Sequence, residues 1–543
     1  MTKFTKTKAG GFAAMKKGIN TAADIVVSTM GPHGQNVAIA FPDKMPLVSR
    51  DGATVISSIK LEDEWLRLGS DMLVDAAKKT EHEAGDATTT TCAIVQGILN
   101  NLPSTFNRRL VCDELRLLSK EIELTLNNLS MKVHSDGVID MEILRRLAIT
   151  SANNDIELGT MIADLIGKIG VGGVIQVHES DDNTTYTEIK KGYNWKEGAL
   201  SPHFLPNGSQ PVTIEHPLIL LIEEKVTDQK TLIPILESWT SNYHKNGAYT
   251  RSLVLIVSDL SGSAVDMLVE NHKKGVPCIA IKCPETGIQR VESMVDIQLV
   301  TGTKQVFSEY TGNPLNKFGK DGKASILSGN GVEEFGECVS IKTDLRETVL
   351  YFEESDEMKQ NVEEHIESLD QVDLDTEDRK QFYRERKSKL RNGIGHIYVG
   401  GDSKTEMYNK GLTVDDSQLA CFAALEEGVL IGGGNTLVSL ANIIKDSKLS
   451  VASTLSKALI HPFNILMSNS GVERSFFDKL FNRGYSKYYD KDRVFNVKTL
   501  KWEDTGTTVV LDAAKATKNA IRNAISVSIE VINTDHLIQW KND

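Results

Sequence analysis

The chain contains no apolar run long enough to span a bilayer. Its longest, at residues 218–222 and 253–257, are strand-sized, against the ~18 residues a membrane helix requires. It has no excess of positive charge either. Sixty-one Lys and Arg against 74 Asp and Glu leave a formal net charge of −13 in 543 residues. That excludes a general nucleic-acid binder, whose phosphate contacts need a basic surface, without excluding a local basic site. Aromatic residues make up only 6%. The six cysteines (Cys92, Cys112, Cys278, Cys283, Cys338, Cys421) include no C-x-x-C pair, so neither a zinc site nor a disulfide framework is indicated. Met1-Thr-Lys-Phe-Thr-Lys6 lacks an apolar segment, and no secretory signal is read there. The expectation is a cytoplasmic protein with reduced thiols. Familiar phosphate and metal signatures are missing too: no G-x-x-x-x-G-K-[ST], no G-x-G-x-x-G after a strand, no H-E-x-x-H.

What is present is an ordinary soluble composition, 40% hydrophobic and 25% charged, in a chain long enough for about three or four domains. The first ~130 residues read as helical. Ala14, Ile19, Ala22, Ile25 and Val26 recur at helical spacing, and residues 110–126 carry a second apolar stripe. From about Gly170 short β-rich runs (174–177, 218–222, 253–257, 278–281) alternate with amphipathic stretches, an α/β pattern. Leu232, Ile233, Leu236 and Trp239 are placed on one helical face, and Ala264, Val265, Leu268 and Val269 on another. Residues 353–391 read as two charged antiparallel helices broken near 373–376, followed by a strand at 396–399 and a helical final third. This helical, mixed, helical succession suggests ends that pack together around an inserted middle.

Two clusters carry chemistry. Ser28-Thr-Met-Gly-Pro-His-Gly34 ends a helical stretch in a Gly-Pro turn, which is either a helix stop or an anion-binding nest of N–H groups. Ala84-Gly-Asp-Ala-Thr-Thr-Thr-Thr91 opens the next helix, with Asp86 expected as its N-cap. Capping explains Asp86 but not four threonines, which are mediocre helix formers; N–H groups and hydroxyls there suit a phosphate. Asp51, Asp415, Asp416 and Gly432-Gly433-Gly434 add carboxylates and a flexible turn.

In this order the segments resemble the group I chaperonins, the GroEL family, from about Gly11 to the end. The elements that carry the resemblance are Thr29-Met-Gly-Pro-His-Gly34, Ser49-Arg-Asp-Gly-Ala-Thr-Val55, Leu61-Glu-Asp63, Ala84-Gly-Asp-Ala-Thr-Thr-Thr90, Thr150-Ser-Ala-Asn153, Leu200-Ser-Pro-His-Phe204, Ala424-Leu-Glu-Glu-Gly-Val429 with Gly432–Gly434, and Val510-Leu-Asp-Ala-Ala-Lys-Ala-Thr517. The resemblance implies a multidomain α and α/β chaperonin fold. A helical equatorial ATP-binding domain would be split between 1–134 and 427–543. A small intermediate domain would use 135–190 and 395–426, and an α/β apical domain 191–394. Gly192, Gly393 and Gly428 fall at the family's hinges.

By the same resemblance, Thr29, Met30, Gly31, Pro32, Arg50, Thr88, Thr89, Thr90, Thr150, Ser151, Gly433, Asn496 and Asp512 contact ATP, and Asp86 holds Mg²⁺. Asp51 and Asp416 position and activate the attacking water. Phe204, Ile233, Leu236, Val265 and Val269 hold non-native protein clients. Subunits would form a homo-oligomeric ring, sevenfold, single or double, with a co-chaperonin lid as a further partner and no nucleic acid or membrane.

Departures from the family pattern are instructive. Ala87 replaces a glycine, Arg50 and His33 replace lysines, and Ala199 and His203 replace aromatics. Glu270 stands where an apolar residue would line the client groove, so altered lid dependence or a narrower client range is expected. Asn464 stands in place of an arginine that would pair with Glu473, and the Gly-Gly-Met tail gives way to Lys541-Asn-Asp543, which puts the double ring in question. Such divergence fits a specialised, phage-encoded chaperonin, acting then in a host cytoplasm. Two other functions compete: an ATP-independent holdase or structural ring, and a monomeric phosphotransferase. The presence of Asp51, Asp86 and Asp416 speaks against the first, and the lack of a second-substrate site against the other.

Overall fold

The computed structural model describes residues 4–41, 44–135, 138–171, 173–180, 183–245, 247–308, 335–372, 376–472, 493–508 and 510–541. Two compact units divide them: one formed by residues 1–167, 177–187 and 397–543, the other by 168–176 and 188–396. Among the described residues no helix is long and apolar enough to cross a membrane.

The first unit is built on helices whose apolar faces follow the 3.6-residue period. The helix Gly11–Val27 buries Ala14, Met15, Ile19, Ala22, Ala23 and Val26, and Arg108–Leu129 buries Val111, Leu115, Leu118, Ile122 and Leu126. Caps mark the starts. The Asp63 carboxylate accepts from the N–H groups of Trp65 and Leu66 to begin Glu64–Ala84, and Asn107 accepts from Leu110 to begin Arg108–Leu129. The C-terminal helix Ala514–Asn533 adds Ile521, Ile525 and Ile529 to the same core, so one core draws on both ends of the chain. Strand Phe4–Ala9 pairs antiparallel with His536–Lys541.

The second unit is α/β. Strands Cys278–Lys282, Leu253–Leu260, Leu218–Val226 and Val306–Phe307 form a parallel sheet in that order, with Gly336–Glu337 antiparallel on Leu218–Val226. Residues 218–222 and 253–257 are buried without alternation, as expected of parallel strands covered on both faces. A four-stranded antiparallel sheet (Gly192–Trp195, Thr348–Tyr351, Ser340–Thr343, Val212–Glu215) completes the unit.

Helices Gly287–Thr301, Asp356–Asp370 and Glu377–Asn392 are tied together by a buried charged cluster. Arg386 donates through Nε and Nη2 to the two Asp296 oxygens, each at 2.7 Å. His365 Nε2 lies 3.0 Å from Asp296, and the Tyr193 hydroxyl donates to the same carboxylate at 3.3 Å. Arg379 and Tyr383 donate to Glu292 at 3.1 and 2.7 Å. A carboxylate with no exposure is tolerated because every oxygen meets a donor and the charge meets a guanidinium.

The expected client faces are corrected in part. The helix Gln229–Tyr243 buries Leu232, Ile235 and Trp239, leaving Ile233 and Leu236 half-buried. The core residue is therefore Ile235, because the three- and four-residue steps from Leu232 to Trp239 pass through it. Gly262–Lys273 buries Ala264, Leu268 and Val269, with Val265 half-buried. Phe204, at 1% exposure, and Val269 belong to the core, with Phe204 edge-on to His272, so neither presents an apolar surface. Glu270 is exposed and pairs with Lys274 at 3.3 Å.

All six cysteines are buried free thiols. Glu473, which would pair with the arginine that Asn464 replaces, lies outside the described residues, as do Asn542 and Asp543 of the tail.

Candidate functional site

The first unit holds a cleft of about 1080 Å³. Its walls come from turns at helix ends, where backbone N–H groups are left over. The helix Gly11–Val27 unwinds into the 28–35 turn, with Gly31 at φ +80° and closing bonds from Gly34 N–H to Gly31 O (3.0 Å) and Gln35 N–H to Ser28 O (2.8 Å). The Thr29 hydroxyl donates to Val26 O at 2.8 Å. Asn469 donates to Val27 and Met30 carbonyls, each at 3.0 Å, which pins the turn to the helix Ala452–Asn469.

Asp51 caps the helix Gly52–Ser58, accepting from Ala53 N–H at 3.3 Å and Thr54 N–H at 2.7 Å. Both oxygens are thereby oriented. A side chain on Gly52 would stand 2.2 Å from Thr89 Oγ1, so this helix start abuts the threonine cluster.

Asp86 is not the expected N-cap. Ala87 is, with left-handed backbone at φ +68°, and the helix Thr88–Asn100 starts one residue later without a side-chain cap bond. Asp86 instead accepts from Ala87 N–H at 2.5 Å. The carboxylate thus stands at the mouth of a helix N-terminus whose leading N–H groups it does not consume. An alanine in this conformation is strained where a glycine would not be.

The helix Met141–Ser151 carries Thr150, whose hydroxyl donates to Arg146 O at 3.1 Å, and ends at Ser151 on the cleft. The helix Lys404–Glu427 brings Asp416. Ser417 on it donates to Ala148 O at 3.1 Å, fixing this helix to Met141–Ser151. Strands Val429–Ile431 and Leu511–Ala513 pair antiparallel with Leu430 opposite Asp512, and a side chain on Gly432 would meet Asp512 Oδ1 at 2.5 Å.

Sixteen residues expected at an ATP site from the sequence (Thr29–Pro32, Arg50, Asp51, Asp86, Thr88–Thr90, Thr150, Ser151, Asp416, Gly433, Asn496, Asp512) all line this one cleft. Asn496 differs in detail. Its amide donates to Glu503 at 2.7 Å and its oxygen accepts from Lys498 and Thr499 N–H groups, so it braces the hairpin Arg493–Asn496/Lys501–Asp504. Asn154, Asn409, Lys410 and Lys498 line the cleft without having been singled out, as does Asn153, named only as the end of the Thr150–Asn153 element. Asn153 and Asn154 take positive φ (56° and 63°), the one signal an Asn-Asn pair offers in advance.

Electrostatics define the place. Burial, then Asp51, Asp86, Asp415 and Glu81, push the Asp416 carboxyl well above the usual carboxylate range. Burial and Asp86 push Asp512 up to about 7, against a bond from Gly433 N–H. Burial and Asp51 raise Asp86, although the Ala87 N–H opposes this. Among the described residues no cationic side chain lowers any of the three. Among the described residues no three His, Cys, Asp or Glu side chains could hold a metal by themselves. Uncompensated negative charge beside an open helix N-terminus fits a hard cation shared between Asp86 and a ligand's phosphate oxygens, rather than an all-protein metal cage.

The TCP-1/cpn60 chaperonin family model matches residues 22–245 and 251–542. Two crystal structures of the chaperonin gp146 from bacteriophage EL 2 (Pseudomonas aeruginosa), in presence of ATP-BeFx, share the fold at 19% sequence identity, each comparison covering 99% of both chains. The TM-score is 0.74 for crystal form II and 0.66 for form I. With the family matched over almost its whole length and the fold shared from end to end, the chain belongs to the TCP-1/cpn60 chaperonin family.

Proposed function

We propose that this chaperonin hydrolyses Mg-ATP in the cleft of the first unit and uses the cycle to bind and release non-native proteins in a ring chamber. The observation that carries the reading is the convergence of Asp51, Asp86, Asp416 and Asp512 on one cleft with the N-terminus of Thr88–Asn100, where among the described residues no cationic side chain lowers the carboxyls of Asp86, Asp416 or Asp512. The Thr29–Pro32 turn, Arg50, Thr88–Thr90, Thr150, Ser151, Gly433 and Asp512 would hold the nucleotide, N–H groups and hydroxyls meeting phosphate oxygens. Mg²⁺ held by Asp86 and the phosphates would offset the carboxylate charge and that of the leaving phosphate. Asp51 and Asp416 would orient the attacking water and take its proton. The raised carboxyl of Asp416 suits a group whose proton affinity would fall once a cation is in place. The crystallisation of gp146 with ATP-BeFx supports the same reading.

Client contact falls to Ile233, Leu236 and Val265, the half-buried members of the two faces, which attract exposed apolar surface with little sequence preference. Gly192, Gly393 and Gly428 would serve as hinges. Gly393 (φ +81°, ψ −164°) and Gly428 (φ +87°, ψ −170°) occupy backbone conformations open in practice only to glycine. The equatorial, intermediate and apical boundaries at 134, 190, 394 and 426 complete the proposal, with a sevenfold ring, single or double, altered lid dependence or a narrower client range given Glu270, and a phage-encoded chain acting in a host cytoplasm.

Electron microscopy of the purified protein with and without ATP, alongside refolding of a denatured client, tests the reading. Rings that change on ATP and release folded client only during hydrolysis are expected. Rings indifferent to ATP that merely prevent aggregation would replace the machine with a holdase.

A further inference from the structure

Arg146 reaches from the helix Met141–Ser151 to the turn after the hairpin Arg493–Asn496/Lys501–Asp504. Its three guanidinium nitrogens each find a different backbone carbonyl: Nε donates to Thr508 O at 2.5 Å, Nη1 to Gly506 O at 2.8 Å and Nη2 to Thr505 O at 3.0 Å. The turn is organised to present them. Gly506 N–H donates to the Asp504 carboxylate at 2.7 Å, Thr508 N–H to Asp504 O at 2.8 Å, and the Thr508 hydroxyl to Glu503 at 2.8 Å. Val510 N–H in turn donates to the Thr508 hydroxyl at 3.1 Å, and Val510 O accepts from Gly432 N–H at 2.9 Å.

Both ends of this connection bear on the cleft. At one end the Arg146 carbonyl holds the Thr150 hydroxyl, and the same helix accepts Ser417, the residue after Asp416. At the other end the chain runs directly into Val510, Asp512 and the Gly432–Gly434 turn. The planar fork therefore bridges the wall carrying Asp416, Thr150 and Ser151 to the wall carrying Asp512 and Gly433. A flexible ammonium could satisfy one carbonyl at a time but could not fix the three together.

We propose that Arg146 is a positioning residue for ATP hydrolysis, setting the distance between these two walls so that Asp416 meets the nucleotide in register. The proposal rests on the ATPase reading above. Arg146 is not among the residues lining the cleft, so it acts through the walls it joins.

The test uses the full-length protein as Arg146→Ala and Arg146→Lys, with Arg145→Ala as a control. Arg145 is its neighbour on the same helix and pairs with Asp164 at 2.8 Å. The expected result is a kcat for ATP hydrolysis lowered about 10-fold or more in Arg146→Ala, with KM moving less than about threefold, because positioning is lost while most binding groups stay. Arg146→Lys should fall between, and Arg145→Ala within about twofold of the parent. Amide exchange across residues 504–511, measured without nucleotide, should accelerate in Arg146→Ala and not in Arg145→Ala.

Unchanged kcat in both Arg146 variants, or a change in KM alone, overturns the proposal. So does exchange at 504–511 that ignores Arg146. If Arg146→Ala fails to fold, Arg146→Lys alone decides: full activity with unaltered exchange is the overturning result. A parent protein that neither binds nor hydrolyses ATP refutes the ATPase reading, and with it the positioning role. That result is distinct from a parent that turns over normally beside an indifferent Arg146 variant.

Discussion

Two groups of buried carboxylates in this chain share the same chemistry and opposite surroundings. Asp296 in the second unit has no exposure, yet it receives two Arg386 donors, His365 and the Tyr193 hydroxyl. Asp86, Asp416 and Asp512 in the first unit receive no cationic partner among the described residues, and burial with neighbouring carboxylates pushes their carboxyls upward. A satisfied buried charge is a structural tie; its loss exposes the partner left behind. An unsatisfied cluster opening on a cleft is held for something that arrives from outside. The same distinction separates Arg386, which closes a network of side chains, from Arg146, which holds backbone carbonyls beside the cleft.

The contrast breaks most severely at Asp296. Asp296→Asn leaves the buried Arg386 guanidinium only the Glu292 carboxylate, 3.7 Å away, as counter-charge and should destabilise the second unit by up to about 3–5 kcal/mol. Denaturant unfolding followed by the fluorescence of the buried Trp195 and Trp239 reads it directly. A loss below about 1 kcal/mol would place the network among ties of little consequence.

The cleft should respond in the opposite sense. Burial raises Asp512 in the cleft to about 7 and Asp415, the neighbour of Asp416 that does not line it, to about 6. Each keeps its proton to higher pH in the folded chain than in the unfolded one. Their contribution to stability is therefore fully present below about pH 4 and is lost as pH rises through 6 and 7. Asp512→Asn, which copies the protonated state, should reduce the fall in melting temperature between pH 5 and 8 by about 2–4 °C in nucleotide-free protein. An identical slope in the variant would remove Asp512 from the unsatisfied set.

The smallest effect belongs to the backbone. Ala87 holds φ +68° at the helix start beside Asp86. Ala87→Gly relieves that conformation and should leave the first unit about 1 kcal/mol more stable, or neutral once the added freedom of the unfolded chain is counted. A marked loss of stability would mean that the Ala87 side chain is itself needed.

Much of this was legible in the sequence, and the failures have physical causes. The short apolar runs at 218–222 and 253–257 were legible as strands of an α/β pattern, whereas their parallel pairing, with burial on both faces, is visible only in the sheet. The ordered glycine, threonine and aspartate segments named the cleft residues, since helix-start turns are local in sequence. Asp86 was misread as the cap because capping preference belongs to residue type, whereas the left-handed conformation of Ala87 belongs to its context. Phe204 and Val269 were assigned to a presented face although neighbouring elements bury them, which periodicity within one helix cannot reveal. Asn496 lines the cleft, but its amide is spent on Glu503 and the turn that follows it. Arg146 gave no signal: its acceptors are backbone carbonyls some 360 residues away, and a carbonyl has no residue type.

The most direct test of the proposed ATP chemistry is steady-state turnover by Asp416→Ala beside the parent protein, with Mg-ATP binding measured on the same samples. Turnover should fall about 100-fold or more while ATP still binds, as removal of a base that acts on water rather than on the nucleotide requires. Undiminished turnover in the variant would contradict the catalytic role given to Asp416 and the reading of the cleft built around it.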